Sequence, residues 1–197
     1  MNIIEIILNA LKLIISVDKL LYEVIFLSLK VSLIALFISS SIAIIVGYIL
    51  ALKNFYFKNF LLVFINSLMG IPPVVVGLIV YFIFAYGGPL GPLKLLYTPT
   101  AMIIAQVIII FPIVTSLSHE IFFQNWKQYK DQFRSLNIPF FGIIKILTIH
   151  SYFLLITVLL SAFGRAISEV GAVMIVGGNI DHFTRVMTTA ISLETRM

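Results

Sequence analysis

Apolar and polar positions in this chain are segregated on the scale of whole helices. Residues 31–52 carry no charge, and that run alone exceeds the roughly 20 residues needed to cross a bilayer core. A first span is therefore drawn over about 24–52, with Lys30 near its start extending toward the headgroups. Ser32, Ala35, Ser39, Ala43 and Gly47 lie on one face of it, and small-residue faces mark helix–helix contact in lipid. The pattern gives a second span over 60–84, which holds Asn66, Gly70, Pro72 and Pro73. The Pro pair removes two backbone donors and predicts a kink, tolerated where neighbours or cavity water satisfy the freed carbonyls. The Gly- and Pro-rich stretch 86–99 reads as a loop. Thr98-Pro99 or Thr100 opens a third span over 100–118, with Pro112 inside it, and a fourth span covers 143–163. Between these two lies the one long hydrophilic stretch, 119–141.

The two ends of the chain depart from this pattern. Glu5, Asn9, Lys12, Ser16, Lys19 and Glu23 recur at spacings of four, three, four, three and four. That is one polar stripe on a helix over 1–23, read as lying in the membrane interface. A first span with a wet face is the other reading, and Ser16-Val17-Asp18 could break the helix in two. At the far end, Gly164 to Arg196 follows directly on an apolar run yet mixes four glycines with Arg165, Glu169, Asp181 and Arg185. Charges beside lipid-grade sequence usually face a protein interior or a water-filled path. The segment is therefore expected to be partly re-entrant, with something polar moving past it.

Composition sharpens the class. Of 197 residues, 61% are hydrophobic and 11% charged, against about 25% charged in soluble domains. The chain is an all-α polytopic membrane protein with about four transmembrane helices. Its net charge of +5 comes from dispersed residues with no basic run, so it points to lipid headgroups and not to nucleic acid. Lys53, Lys58, Lys127, Lys130 and Arg134 fall in the loops at 53–58 and 119–141, while only Lys94 falls in the 86–99 loop. That bias places the first two loops in the cytoplasm and the N-terminus outside; Lys12, Lys19 and Lys30 pull the other way.

Several chemistries lack their residues. There is no cysteine, no GxxxxGK[ST] phosphate loop and no HExxH motif. His119, His150 and His182 have no metal-ligand spacing. Ser168, Glu169 and Asn179 are the candidates for a membrane active site, and they lack a base. Neither a catalytic residue, a metal nor a bound cofactor is expected on this chain.

The stretch Asn66-Ser67-Leu68-Met69-Gly70-Ile71-Pro72-Pro73-Val74-Val75-Val76-Gly77-Leu78 is similar to the second span of tungstate importer permeases. Gly88-Pro89-Leu90-Gly91, the run from Tyr97 to Gln106 and the long segment from Gly164 to Thr195 resemble the same group. Molybdate and sulfate permeases carry a looser version. All are type I membrane subunits of ABC importers, which share a coupling motif: Glu-Ala-Ala, three residues, Gly, nine residues, Ile-x-Leu-Pro. Here Asp131-Gln132-Phe133, Asn137 and Leu147-Thr148-Ile149-His150 fit that spacing, with Asp for Glu, Phe for the second Ala, Asn for Gly and His for Pro. The resemblance covers roughly 24–197, an ABC transmembrane type-1 domain.

The resemblance implies a multi-pass permease in a bacterial or archaeal cytoplasmic membrane, translocating an oxyanion, tungstate, by alternating access. It implies a second permease copy as a homodimer partner, a cytoplasmic ATPase dimer that holds the ATP and Mg, and an extracytoplasmic binding protein. The alternatives are a permease for molybdate, sulfate or another solute, and a membrane enzyme or assembly factor with a re-entrant site. The 119–141 loop would carry a coupling helix. Trp126, Tyr129 and Phe133 recur there at three- and four-residue spacing, and aromatic anchors suit an interface. Asp131, Arg134 and Asn137 complete the set expected to meet the ATPase. Asn66, Gly70, Pro72, Pro73, Arg165, Glu169, Gly171, Gly177, Gly178, Asn179 and Arg185 are expected to line or gate the path. Backbone donors at broken helix ends can meet an oxyanion without fixing it, and Glu169 is spaced to pair with Arg165 at i+4.

Members of this family continue with one more span of roughly 20 apolar residues, whereas this sequence closes at Thr195-Arg196-Met197. With that last family helix apparently missing, the 197-residue chain is expected to transport poorly or not at all. Anion uptake by cells carrying only this version measures it, and normal uptake refutes the expectation.

Overall fold

Two long helices run side by side through the whole depth of the molecule. The computed structural model describes residues 19–195, among which there are eight α-helices and no strand. They are α1 (Lys19–Leu52), α2 (Lys58–Leu68), α3 (Pro73–Phe84), α4 (Pro99–Ser135), α5 (Phe140–His150), α6 (Tyr152–Ile167), α7 (Gly171–Gly177) and α8 (Met187–Glu194). With 34 and 37 residues, α1 and α4 reach about 50 Å and 55 Å at 1.5 Å per residue, well beyond a bilayer core of about 30 Å. The described residues hold two helices long and apolar enough to cross a membrane, or four spans if each bent pair counts as one. The polar stripe expected on residues 1–23 falls on positions 1–18, outside the described residues, except for its last turn, which belongs to α1.

The small face of α1 packs on α4. Ser32, Ala35, Ser39, Ala43 and Gly47 are all buried. Val31 clusters with Met102, Ala35 and Ala43 with Ile110 and Val114, and Tyr48 stacks on Phe122 with ring centroids 3.7 Å apart. Partner numbers rise together along the two helices, so α1 and α4 are parallel. α6 is antiparallel to both: Leu155 joins the Phe122 cluster, Val158 and Ala162 the Ile110 cluster, and Ala166 meets Gln106. The amino-terminal ends of α1 and α4 and the carboxy-terminal end of α6 therefore share one end of the bundle.

The helices differ from the expected spans in three places. α4 runs past Ser118, where the third span is expected to end, and continues to Ser135. No Gly or Pro occurs from Ile113 to Ile138, and polarity alone does not end a helix. Asn137 ends it, in the left-handed region at φ 50°. Residues 119–135 are thus the last turns of α4 and not a loop. The second span is two helices, α2 and α3, that meet at 99°. Pro72 caps α3 and Pro73 sits at its first position, where a missing N–H is harmless. The fourth span starts at Phe140 and bends by 71° at Ser151. No Gly or Pro marks that bend; instead Asn125 Nδ2 donates to Ser151 Oγ at 2.7 Å, and Leu147 and Leu155 both pack into the Phe122 cluster.

Gly77 lets α7 press against α3. A Cβ there would sit 2.6 Å from Ala172 Cα, a backbone atom that cannot swing aside. Ala is ordinarily the better helix former by about 1 kcal/mol, but here the expected sign is reversed. Gly77→Ala is expected to lower stability by roughly 1–3 kcal/mol through over-packing. Gly87→Ala, where nothing lies within 4 Å, is expected to change it by less than about 0.5 kcal/mol. Denaturant unfolding of both variants in mixed micelles checks the contrast.

Candidate functional site

The carboxy-terminal end of α6 releases its last carbonyls inside the bundle, and side chains from two directions meet them. Gln106 Nε2, on α4, donates to Ala166 O at 3.0 Å, and Thr188 Oγ1 donates to Glu169 O at 2.9 Å. Glu169 is 5% exposed. One of its carboxylate oxygens accepts from Ala172 N at 3.2 Å, satisfying an orphan donor in the first turn of α7. The other lies 3.5 Å from Arg165 Nη1. The i+4 pairing expected of these two residues therefore forms, and both carboxylate oxygens of Glu169 have a partner within the protein.

Arg165 is left partly open. Its side chain is 39% exposed, and it is the one charged residue lining a pocket of about 160 Å³ walled by Met69, Ile71, Ile79, Val80, Ile108 and Ile113, among others. Its neighbour Ala166 is level with Gln106, four residues along α4 from Met102, which meets Val31 at the start of the charge-free run. Arg165 therefore lies beside the first turns of the charge-free run. The broken helix supplies the facing wall: Gly70 lies in the turn between α2 and α3, Pro72 and Pro73 open α3, and Val74 packs against Gly171, where a Cβ would be only 2.5 Å from Val74 Cγ2. Gly70, Pro72, Pro73, Arg165, Glu169 and Gly171 are thus brought into one neighbourhood.

The remaining path candidates lie elsewhere. Gly177, Gly178, Asn179 and Arg185 form a capped turn at the shared end of the bundle. Thr184 Oγ1 donates to Gly177 O at 2.6 Å and accepts from Ile180 N at 2.9 Å. Arg185 Nη1 pairs with Asp181 at 3.1 Å, and His182 Nδ1 lies 2.8 Å from Glu23 Oε2 on α1. Gly178 sits at φ 73°, where a Cβ would be 2.7 Å from the Tyr97 ring. The Tyr81 hydroxyl beside Tyr97 holds that phenol above its ordinary range. Asn66 is drawn the other way, accepting from Ser116 Oγ at 2.6 Å. Ser116 is ten residues past Gln106, about 15 Å further along α4. The residues expected to line or gate the path thus lie at three levels of the bundle.

At the opposite end, Phe133 of the expected aromatic residues is buried, while Trp126 and Tyr129 are half-buried. Phe133 is 7% exposed and belongs to the Phe122 cluster, with Trp126 and Tyr129 packed against it. Trp126 and Phe133 stack at 6.2 Å, and Tyr129 meets His150 edge-on at 5.3 Å. The reason is the fold-back of α5 onto α4, which the spacing alone did not reveal. Asp131, Arg134 and Asn137 remain exposed, and Arg134 and Asn137 line a pocket with Trp126 and Ile138. The exposed part of this surface mixes these polar residues with Leu136, Phe140 and Phe141.

Reading the sequence missed Gln106, Thr184 and Thr188 as residues that hold the segment. Gln106 did carry a signal, being the one side-chain amide in the third span. The threonines carried none, since their partners are backbone atoms fixed only in three dimensions.

Residues 43–196 match the family described as binding-protein-dependent transport system inner membrane component. The chain is 39% identical over 188 residues to a tungstate uptake system permease protein TupB of Peptoclostridium acidaminophilum, covering 95% of this chain and 82% of that one. It is 37% identical over 174 residues to a probable anion ABC transporter permease protein of Haloferax volcanii, covering 86% and 75%. A TupB of Campylobacter jejuni is 38% identical over 142 residues, covering 72% and 59%.

Glu169→Ala removes a cap from α7 and leaves Arg165 without its partner, at an expected cost of roughly 1–3 kcal/mol. Glu169→Gln keeps an oxygen for Ala172 N and is expected to cost less. Unfolding in micelles ranks them, and equal losses would contradict the capping role. Gly178→Ala is expected to cost roughly 1–2 kcal/mol from the left-handed backbone alone, with the Tyr97 contact adding to it.

Proposed function

Since the chain belongs to the family of binding-protein-dependent transport system inner membrane components, we propose that it is the permease through which an ABC importer carries tungstate across the cytoplasmic membrane. The chain is an all-α, multi-pass transport subunit of that membrane. The tungstate reading rests on relatives named for tungstate uptake and on a third named for anions. Molybdate and sulfate are tetrahedral dianions as well, so the residues of this chain alone do not separate them. The extracytoplasmic binding protein would set the choice.

Arg165 is the observation that carries the reading. A guanidinium beside lipid-grade sequence is costly unless it faces protein, water or a counter-ion. Here one edge is neutralised by Glu169 and the other opens on an apolar pocket beside a broken helix. Half-neutralised, it would attract a passing oxyanion without trapping it. The apolar walls would offer no second handle, as transit requires. A second copy of the permease would close the open face of the pocket.

The Asn179–Arg185 turn would face the binding protein. The exposed Asp131, Arg134 and Asn137 would meet the ATPase dimer, where ATP and Mg are bound and hydrolysed, with Trp126, Tyr129 and Phe133 stiffening the lever from within. Rocking of α4, which runs from one end to the other, would carry the ATPase motion to the pocket.

The permease co-purified with its ATPase and given tungstate-loaded binding protein is expected to show stimulated ATP hydrolysis. Stimulation by sulfate or molybdate with none by tungstate would overturn the substrate assignment. Arg165→Ala is expected to lower tungstate uptake by roughly 10–100-fold, the worth of one charged hydrogen bond to an anion, with assembly intact. Uptake at the unmodified rate in that variant would remove Arg165 from the path.

A further inference from the structure

We propose that one buried water molecule binds between Gln106, Ser32 and the Glu169–Thr188 pair, fastening the broken segment after α6 to both long helices. The inference starts from the Gln106 amide, which is 4% exposed. Its Nε2 donates to Ala166 O at 3.0 Å. A carbonyl only accepts, so this bond fixes which way the amide points and turns Oε1 the other way. Among the described residues no group donates to Oε1, and a buried acceptor left so is costly in a membrane interior.

A small polar cavity lies there. It is lined by Ser28, Ser32, Gln106, Glu169 and Thr188, with Val31 and Val186 among its apolar walls, and its volume is about 10 Å³. That is close to the smallest volume that holds one water, about 10–15 Å³. The donors in the lining are nearly used up. Ser28 Oγ donates to Val24 O at 2.7 Å and accepts from Met187 N at 2.8 Å, and Thr188 Oγ1 donates to Glu169 O. Ser32 is 2% exposed, and among the described residues its hydroxyl makes no hydrogen bond. The lining thus offers acceptors at Gln106, Thr188 and Glu169 and one uncommitted hydroxyl at Ser32. A water has two protons for the acceptors and a lone pair for the Ser32 proton, which makes three of the 2–4 partners a buried water needs. A cation is a poorer fit, because the Glu169 carboxylate is already met by Arg165 and by Ala172 N. The inference does not depend on what the permease carries.

Radiolytic labelling of the detergent-purified permease–ATPase complex in ¹⁸O-water, read by mass spectrometry, tests it. Val31 and Val186 are 1% and 5% exposed, and Val114, away from this cavity, is 0% exposed. A bound water is expected to raise ¹⁸O incorporation at Val31 and Val186 several-fold above that at Val114. Incorporation at the Val114 level in the unmodified protein would overturn the site. Ser32→Val, which fills the cavity, and Gln106→Met, which removes the amide at similar length, are each expected to return the two valines to the Val114 level. Labelling that persists in both folded variants would also overturn it, since the water would then not depend on these groups. If either variant fails to fold, the comparison within the unmodified protein still decides.

Discussion

Within a bilayer, every backbone donor and acceptor must find a partner inside the protein, and the segment from 164 to 195 is where that constraint is hardest to meet. A continuous helix satisfies itself. This segment ends one helix, builds a second of seven residues, turns over and starts a third. Its loose backbone groups are met by side chains: Gln106 on Ala166 O, Glu169 on Ala172 N, Thr188 on Glu169 O, Thr184 on Gly177 O and on Ile180 N, and Ser28 on Met187 N. Irregular backbone is tolerated at membrane depth only where protein or cavity water covers it in this way. α1 and α4 supply the cover, and their parallel packing exists because α1 presents a stripe of Ser, Ala and Gly.

The same constraint explains the charges. Glu169 could not be buried at 5% exposure without partners, and it has two, a backbone N–H and Arg165. Using Glu169 as a cap leaves Arg165 half-neutralised at the edge of an apolar pocket. The carboxylate that meets the first turn of α7 also pairs with the one cation lining that pocket. The broken helix opposite obeys the same rule, since Pro73 at the first position of α3 has no N–H to leave unsatisfied.

Much of this was legible in the residues. The 31–52 run marked an apolar helix long enough to span, its small face marked the contact with α4, the Pro pair marked the break between α2 and α3, and glycines beside isolated charges marked the broken segment after α6. Each is a local property with a direct physical cause. The bend at Ser151 was not legible, because it is imposed by Asn125 and the Phe122 cluster rather than by a helix breaker. The burial of Phe133, with Trp126 and Tyr129 half-buried, was hidden too. Their spacing gives a common helix face, while the fold-back of α5 decides what covers that face.

The sequence by itself determined that this is an all-α membrane protein, where its helices can break, and that a polar, glycine-rich segment follows α6. Those features depend on composition and on periodicities of three or four residues. Only the tertiary structure decided which of the polar residues meet. It gave Glu169 to the backbone and Arg165 to the pocket, drew Asn66 to Ser116, and set Asn179 and Arg185 at another level. These outcomes depend on the relative depth and direction of helices far apart in the chain, which hydrogen-bond satisfaction in the folded bundle fixes and which no local pattern contains.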